Sequence, residues 1–191
     1  MAGRKRNEAA RQAILRSTFE LMREEGFNRL SIEGVAVRAG VGKATIYRWW
    51  PGKGALAVEA FLTAAEPLIA FSTSDSARDD IVRQMRLLAE LYRGPAGRLV
   101  REIIGAAQHD ATVRSAFISD FLEPRREQAR AVFRRGVAAG EFRADIDADV
   151  AIDALWSPIY YRFLVSGAGM DESFISAHAG IVLRGLMVVG T

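Results

Sequence analysis

At 191 residues, half of them hydrophobic and a quarter charged, the chain has room for one good core, or for a small module joined to a larger one. It contains no cysteine, which excludes disulfides and thiolate metal sites. Its net charge of +3 is unevenly placed: residues 1–60 hold eleven Lys/Arg against six Asp/Glu, a net of +5, and residues 61–191 hold fifteen against seventeen, a net of −2.

A polyanion-facing front and a near-neutral body account for that asymmetry, with chance unevenness as the competing account. The basic start Arg4-Lys5-Arg6-Asn7 runs into Glu8 and Arg11 and not into an apolar stretch, so it does not read as a secretory signal. Nothing approaches the roughly 20 apolar residues of a membrane span, and a cytoplasmic protein is expected. Period-2 alternation is absent and helical spacing recurs, so the chain reads as all-α with about nine helices.

The spacing predicts a first helix from about Glu8 to Glu25, with Ile14, Thr18 and Leu21 on one face and Gly26 at its end. Ser31 is an N-cap candidate for a second helix, Ile32 to Ala39, and Gly40 closes that helix in the left-handed conformation. Between Gly40-Val41-Gly42 and Pro51-Gly52 lies a third, very short helix. A helix this short cannot hold itself together in water and needs clamping from behind. Ile46 and Trp50, four apart, supply the inner face; Lys43, Ala44, Tyr47 and Arg48 are left outward. Two helices joined by a glycine turn, the second cationic and outward-facing, form a helix-turn-helix.

Several positions then define candidate DNA contacts. Lys43 and Arg48 reach guanine O6/N7 or a phosphate, Tyr47 a phosphate or a thymine methyl, and Ala44 leaves room for a thymine methyl. The backbone at Gly42-Lys43-Ala44 is expected to offer an anion site at a helix N-terminus, and Ser31 another at the second helix. Lys53 is expected to clamp a phosphate. The Arg4-Lys5-Arg6 arm either follows a minor groove or phosphates, or is a disordered solubilising tail.

From Arg11 to Leu56 the chain resembles the DNA-binding domain of the tetracycline-repressor (TetR) family of transcriptional regulators. The residues that carry the resemblance are Gly26-Phe27 before Ser31, Val35-Ala36, Ala39-Gly40-Val41, Ile46-Tyr47, and Lys53 with Leu56. Three positions depart from the common family pattern. Gly42 stands where a serine cap is usual, Trp49 where histidine is usual, and Trp50 where phenylalanine is usual. Trp49 keeps one indole N–H donor but cannot carry charge. These departures bear on which operator is read, not on whether DNA is bound.

The body opens with a connecting helix from Gly52 to near Pro67, carrying Leu56, Ala60, Phe61 and Ala64. A fifth helix carries Ile81, Met85, Leu88 and Tyr92, and a sixth Leu99, Val100, Ile103 and Ile104. A long seventh runs from about Ala111 to Ala139, with Pro124 expected to kink it. The last two, Asp147 to Ser166 and Asp171 to Gly190, have apolar surfaces wider than one stripe, so they are the centre of the body, the place where two copies meet, or both. Phe61, Met85, Phe121, Trp156 and Tyr160 are large, and the resemblance places their helices around the family's inducer cavity. Core packing is the competing account of each. Few charges interrupt these faces, so a ligand there is expected to be a small apolar or aromatic molecule, with Arg101 and His109 as the polar groups to orient it.

No catalytic residue, metal site or cofactor is expected. His109 and His178 stand apart, with a capping role for His109-Asp110 and a core or interface role for His178. Asp145-Ile146-Asp147-Ala148-Asp149 alternates acids like a calcium loop but lacks its glycine and later glutamate, so helix capping explains it better. The expected whole is a helix-turn-helix DNA-binding domain at 1–51 and a six-helix ligand-binding and dimerisation bundle at 52–191. It acts as a homodimer through its last two helices on a palindromic double-stranded operator, with recognition helices roughly 34–36 Å apart or somewhat more. A small-molecule-binding or interaction module with a non-specific helix-turn-helix is the alternative.

Overall fold

A computed structural model describes residues 2–71 and 73–188, with side chains from residue 7 onward. In chain order the helices are α1 (Ala2–Glu25), α2 (Ile32–Ala39), α3 (Lys43–Tyr47), α4 (Lys53–Ala65), α5 (Ala77–Arg93), α6 (Pro95–Ala107), α7 (Ala111–Ala116), α8 (Glu123–Ala138), α9 (Ala148–Tyr161) and α10 (Glu172–Leu186). A 3-10 turn, Glu66–Leu68, follows α4, and π-helical segments Phe117–Leu122 and Arg162–Ser166 follow α7 and α9. Among the described residues the only β-pairing is one antiparallel bridge, Phe142 to Met187. The fold is all-α, as the periodicity predicts.

Local chemistry accounts for the boundaries. Gly26, Gly40, Gly140 and Gly167 all have positive φ, and Gly40, at +66°, ends α2 by donating to carbonyls of its last turn. Ser31 accepts the Gly34 N–H at 3.1 Å, Asp110 those of Thr112 and Val113, and Asp147 those of Asp149 and Val150. Within the acidic run 145–149, Asp147 thus caps α9, as expected, while Asp145 pairs with Arg143 and Asp149 with Arg126 and Arg130.

Two elements differ from the sequence reading. α1 begins at Ala2, not Glu8; no proline interrupts the stretch, and Gly3 lies in its first turn, where its cost is least. The backbone of Arg4-Lys5-Arg6 therefore belongs to α1, while the side chains and their contacts lie outside the described residues. The expected kink at Pro124 is realised as the π-helical segment just before it. Pro124 has no N–H for the carbonyl four residues back and its ring crowds that turn, which a wider i→i+5 turn relieves.

Packing groups the chain into two compact units. The first, 1–67 with 95–122, joins α1–α4 to α6, α7 and the first π segment around Ile14, Met22, Val35, Ile46, Leu56, Phe61, Val100 and Ile103. The second, 68–94 with 123–191, joins α5 to α8, α9 and α10 around Ile81, Met85, Tyr92, Phe133, Leu155, Ile159 and Leu183. The first unit extends beyond residue 51, because α4 and α6 pack on α1 and α7 packs on α4 and α6.

Within the first unit α4 approaches α7 so closely that a Cβ at Gly54 would stand 2.6 Å from Val113 Cγ2. Within the second, Asp80 is buried with Arg135 as ion-pair partner, and Arg126 and Arg130 tie α8 to Asp149 of α9.

Candidate nucleic-acid interface

α3 has one turn of helix, shorter than the eight or so residues expected, and it holds its place through buried side chains. Ile46 is fully buried and Trp50 is 2% exposed. Gly42, Lys43, Ala44, Tyr47, Arg48 and Trp49 are exposed together. The helix thus divides into a clamped face and an outward face, with the cations and aromatics on the outward one. Its brevity weakens the dipole at the N-terminal anion site expected there, and Gly42 makes no side-chain cap bond.

The outward cations have partners within the chain. Lys43 Nζ lies 3.0 Å from Glu33 Oε1 on α2, and Arg48 donates to Asn7 Oδ1 at 2.5 Å while its guanidinium sits 5.9 Å from the Trp49 ring centre. The hydrogen bond from Lys43 holds the Glu33 carboxyl below its usual range, and Glu33 in turn raises the Lys43 ammonium. Arg38, one turn from Gly40, makes a two-pronged pair with Glu24 at 2.7 and 2.8 Å. Lys53 Nζ reaches the Leu30 carbonyl at 3.3 Å and lies over the Phe27 ring, which places it against the loop between α1 and α2. Ser31 Oγ is occupied as the α2 cap, so any phosphate contact there shares an already used oxygen.

Contacts that the sequence reading missed fasten this module to its neighbours. Glu59 of α4 accepts from Trp50 Nε1 at 2.6 Å and also pairs with Arg11 of α1. Glu102 of α6 accepts the Phe27 N–H at 2.5 Å, and Arg98 of α6 donates to the Arg23 carbonyl at the end of α1. No local pattern announces these pairs, whose partners lie on different elements and up to 75 positions apart.

Of the expected ligand residues, the structure brings together Phe61 and Phe121, rings edge to face at 6.2 Å. With Val58, Val100, Ile103 and Phe117 they line an apolar hollow that in this conformation has no room for a molecule the size of water. Arg101 and His109 are exposed and stand outside that lining. Met85, Trp156 and Tyr160 belong to the second unit. Met85 is fully buried, Trp156 faces Phe71 at 6.4 Å, and Tyr160 meets Tyr92 edge to face at 5.5 Å. Burial pushes the Tyr92 phenol well above its ordinary range, and its hydroxyl lacks a well-formed hydrogen bond. His178 is half-buried with Nε2 2.9 Å from the Leu155 carbonyl, a structural partner. Among the described residues no cluster of His, Cys, Asp and Glu has metal-binding geometry, and no helix is long and apolar enough to cross a membrane.

A clamped short helix that presents Lys43, Tyr47 and Arg48, behind a glycine-turned α2, defines a helix-turn-helix DNA-binding protein. Residues 14–60 match the family described as bacterial regulatory proteins, tetR family, and residues 72–182 match the tetracyclin repressor-like C-terminal domain. YdeS, an HTH-type transcriptional regulator of Bacillus subtilis strain 168, is 35% identical over 91% of this chain and 87% of its own. A DNA-binding transcriptional repressor TetR of Mycobacteroides abscessus is 28% identical over 97% of both chains. The crystal structure of the TetR family transcription regulator SCO0332 superposes with a TM-score of 0.83 at 36% identity, covering 94% of this chain and 99% of that one. The chain belongs to the TetR family and is a DNA-binding transcriptional regulator. Members of this family bind DNA operators, act as dimers, and are regulators rather than enzymes.

Proposed function

We propose that this chain is a cytoplasmic, ligand-responsive repressor that binds a near-palindromic operator as a homodimer. The observation that carries the reading is the division of α3: Ile46 and Trp50 buried, Lys43, Tyr47, Arg48 and Trp49 exposed on one side. In a major groove Lys43 and Arg48 exchange Glu33 and Asn7 for phosphate or guanine edges, Tyr47 and Ala44 meet phosphate or thymine methyls, and Trp49 offers its single N–H. Gly42 allows close approach of the backbone, while Lys53 and Ser31 flank the contact. The M. abscessus relative, named a repressor, supports repression over activation.

The effector we infer is small and apolar or aromatic, because the hollow at Phe61 and Phe121 is lined by aliphatic and aromatic side chains alone. The dimer forms through α9 with its π-helical segment and α10, whose surfaces carry Tyr161, Val165 and Ile181 exposed. Gel shifts with the purified chain test the reading. It predicts preference for the DNA upstream of its own gene over random duplex of equal length, and equal binding to both would end it.

A further inference from the structure

α4 follows the recognition segment after only Pro51-Gly52, yet a second, non-covalent tie joins them. Trp50 is almost wholly buried, and its single polar atom, Nε1, donates to Glu59 Oε2 at 2.6 Å. The other oxygen of the same carboxylate pairs with Arg11 of α1. The Arg11 guanidinium in turn lies 5.6 Å from the Trp49 ring centre and 5.9 Å from that of Trp50. One carboxylate of α4 therefore gathers α1 and the end of the recognition segment at a single point.

The opposite side of the same helical turn faces the apolar hollow. Successive residues of an α-helix are rotated by about 100°, so Val58 and Phe61 fall within roughly 60° of each other and Glu59 points about 100–160° away from both. Val58 and Phe61 line the hollow from α4, Val100 and Ile103 from α6, and Phe117 and Phe121 from the π segment. The hollow has no room for a water-sized occupant, so an occupant must push its walls apart, and α4 supplies two of the six lining side chains. A displacement of about 1 Å suffices to carry a hydrogen bond of this length out of range.

We propose that Glu59 is a positioning residue: it fixes the recognition helix against α4, and it is the contact through which swelling of the hollow reaches DNA. This rests on the reading of the chain as a ligand-responsive regulator.

The test uses the full chain and a duplex that the wild-type protein selects from a random-sequence pool, compared with unselected duplex of equal length over a range of salt. Trp50→Phe keeps an aromatic ring at this buried position and removes the N–H together with the five-membered ring that carries it. The expected result is a fall of about tenfold in the selected-to-unselected affinity ratio, the size of one lost hydrogen bond, with the salt slope near that of the wild type and a modest fall in melting temperature. Glu59→Ala falls at least as far. Glu59→Gln, which still offers an oxygen to the indole, recovers part of the loss. A merely structural role would lower the melting temperature and leave the ratio alone, and a ratio kept within twofold by both Trp50→Phe and Glu59→Ala overturns the proposal.

The coupling has its own arm. Val100→Phe swells the hollow from the α6 side and lowers the ratio in the wild-type background, but adds nothing in Glu59→Ala. Additive losses would refute transmission through Glu59. Wild-type protein that selects no duplex at all overturns the DNA reading, and the latch with it. Selection that survives every substitution overturns the latch alone.

Discussion

At the scale of single residues, the pairing of Lys43 with Glu33 decides how the interface responds to charge. Both side chains are more than half exposed, so the pair adds little to folding. Its consequence is electrostatic: the hydrogen bond from Lys43 lowers the Glu33 carboxyl, which is ionised at neutral pH beside the proposed phosphate contact of Lys43. Glu33→Gln is expected to leave the melting temperature unchanged and to strengthen binding several-fold on selected and unselected duplex alike. Lys43→Ala is expected to weaken both and to reduce the slope of log affinity against log salt by about one. Fluorescence anisotropy across a salt series reads both, and an unchanged slope in Lys43→Ala removes Lys43 from the phosphate contacts. The outward character of Lys43, Tyr47 and Arg48 was legible because helical spacing and two glycine turns assign faces without a structure. Glu33, Asn7, Arg11 and Glu59 were not, because each acts through a partner on another helix. Arg101 and His109, chosen for polarity alone, stand exposed, since polarity in a sequence does not reveal which way a side chain leaves its helix.

At the scale of elements, α5 is held at its start by a residue that follows α8. The Glu141 carboxylate accepts from the N–H groups of Ala77 and Arg78 at 2.8 and 3.1 Å and from Ser76 Oγ at 3.0 Å. Burial works to raise its pKa, but these hydrogen bonds outweigh burial and leave it below the ordinary 4.5. A carboxyl lowered in the folded state contributes stability that is complete above its unfolded value and disappears as pH falls through the folded one. Urea melts between pH 6 and 3 should therefore show the wild type losing more stability on acidification than Glu141→Gln. Parallel curves would count against the clamp. Glu141→Ala at neutral pH is expected to cost about 1–2 kcal/mol.

Nearby, Gly136 supports a tight crossing. A Cβ there would stand against the Phe142 ring edge and 2.9 Å from Ala77 Cβ, and Phe142 is itself stacked on Phe133 at 5.2 Å. Alanine would gain about 1 kcal/mol of helix propensity, but overpacking costs about 1–3 kcal/mol. Gly136→Ala is thus expected to lower the melting temperature, and a rise would show that Phe142 can yield. The sequence revealed helix periods and caps such as Ser31, Gly40, Asp110 and Asp147, because those signals are local. It marked Pro124 as an interruption but not the form taken, since whether a prolyl defect becomes a kink or a π turn depends on what packs around it.

At the scale of the whole molecule, the proposed reading of a palindrome requires two copies, and the second unit carries apolar exposures suited to joining them. Along α9 and the π segment after it, Ala154, Ser157, Tyr161 and Val165 are exposed on one stripe, and along α10 Ala177 and Ile181 are. Val165 is 72% exposed and Ile181 65%, among the largest apolar exposures of the second unit. Small residues beside large apolar ones let helices of two copies approach closely and bury what a lone chain leaves wet. Because these side chains are solvated in one copy, an aspartate in their place has no core of its own chain to disrupt. In a dimer it would bring a charge, and its two-fold mate, into an apolar seam. Val165→Asp and Ile181→Asp are therefore expected to shift the mass in solution from dimer to monomer, with helix content kept. Each half-site then binds alone, and affinity for a selected duplex should fall by roughly a hundredfold or more as the second contact ceases to be intramolecular. Binding to unselected duplex, set by the charges of α3 within each copy, should fall far less. Light scattering and anisotropy on the same preparations separate the cases: dimers that persist in both variants place the seam elsewhere, and monomers that keep full operator affinity sever dimerisation from recognition.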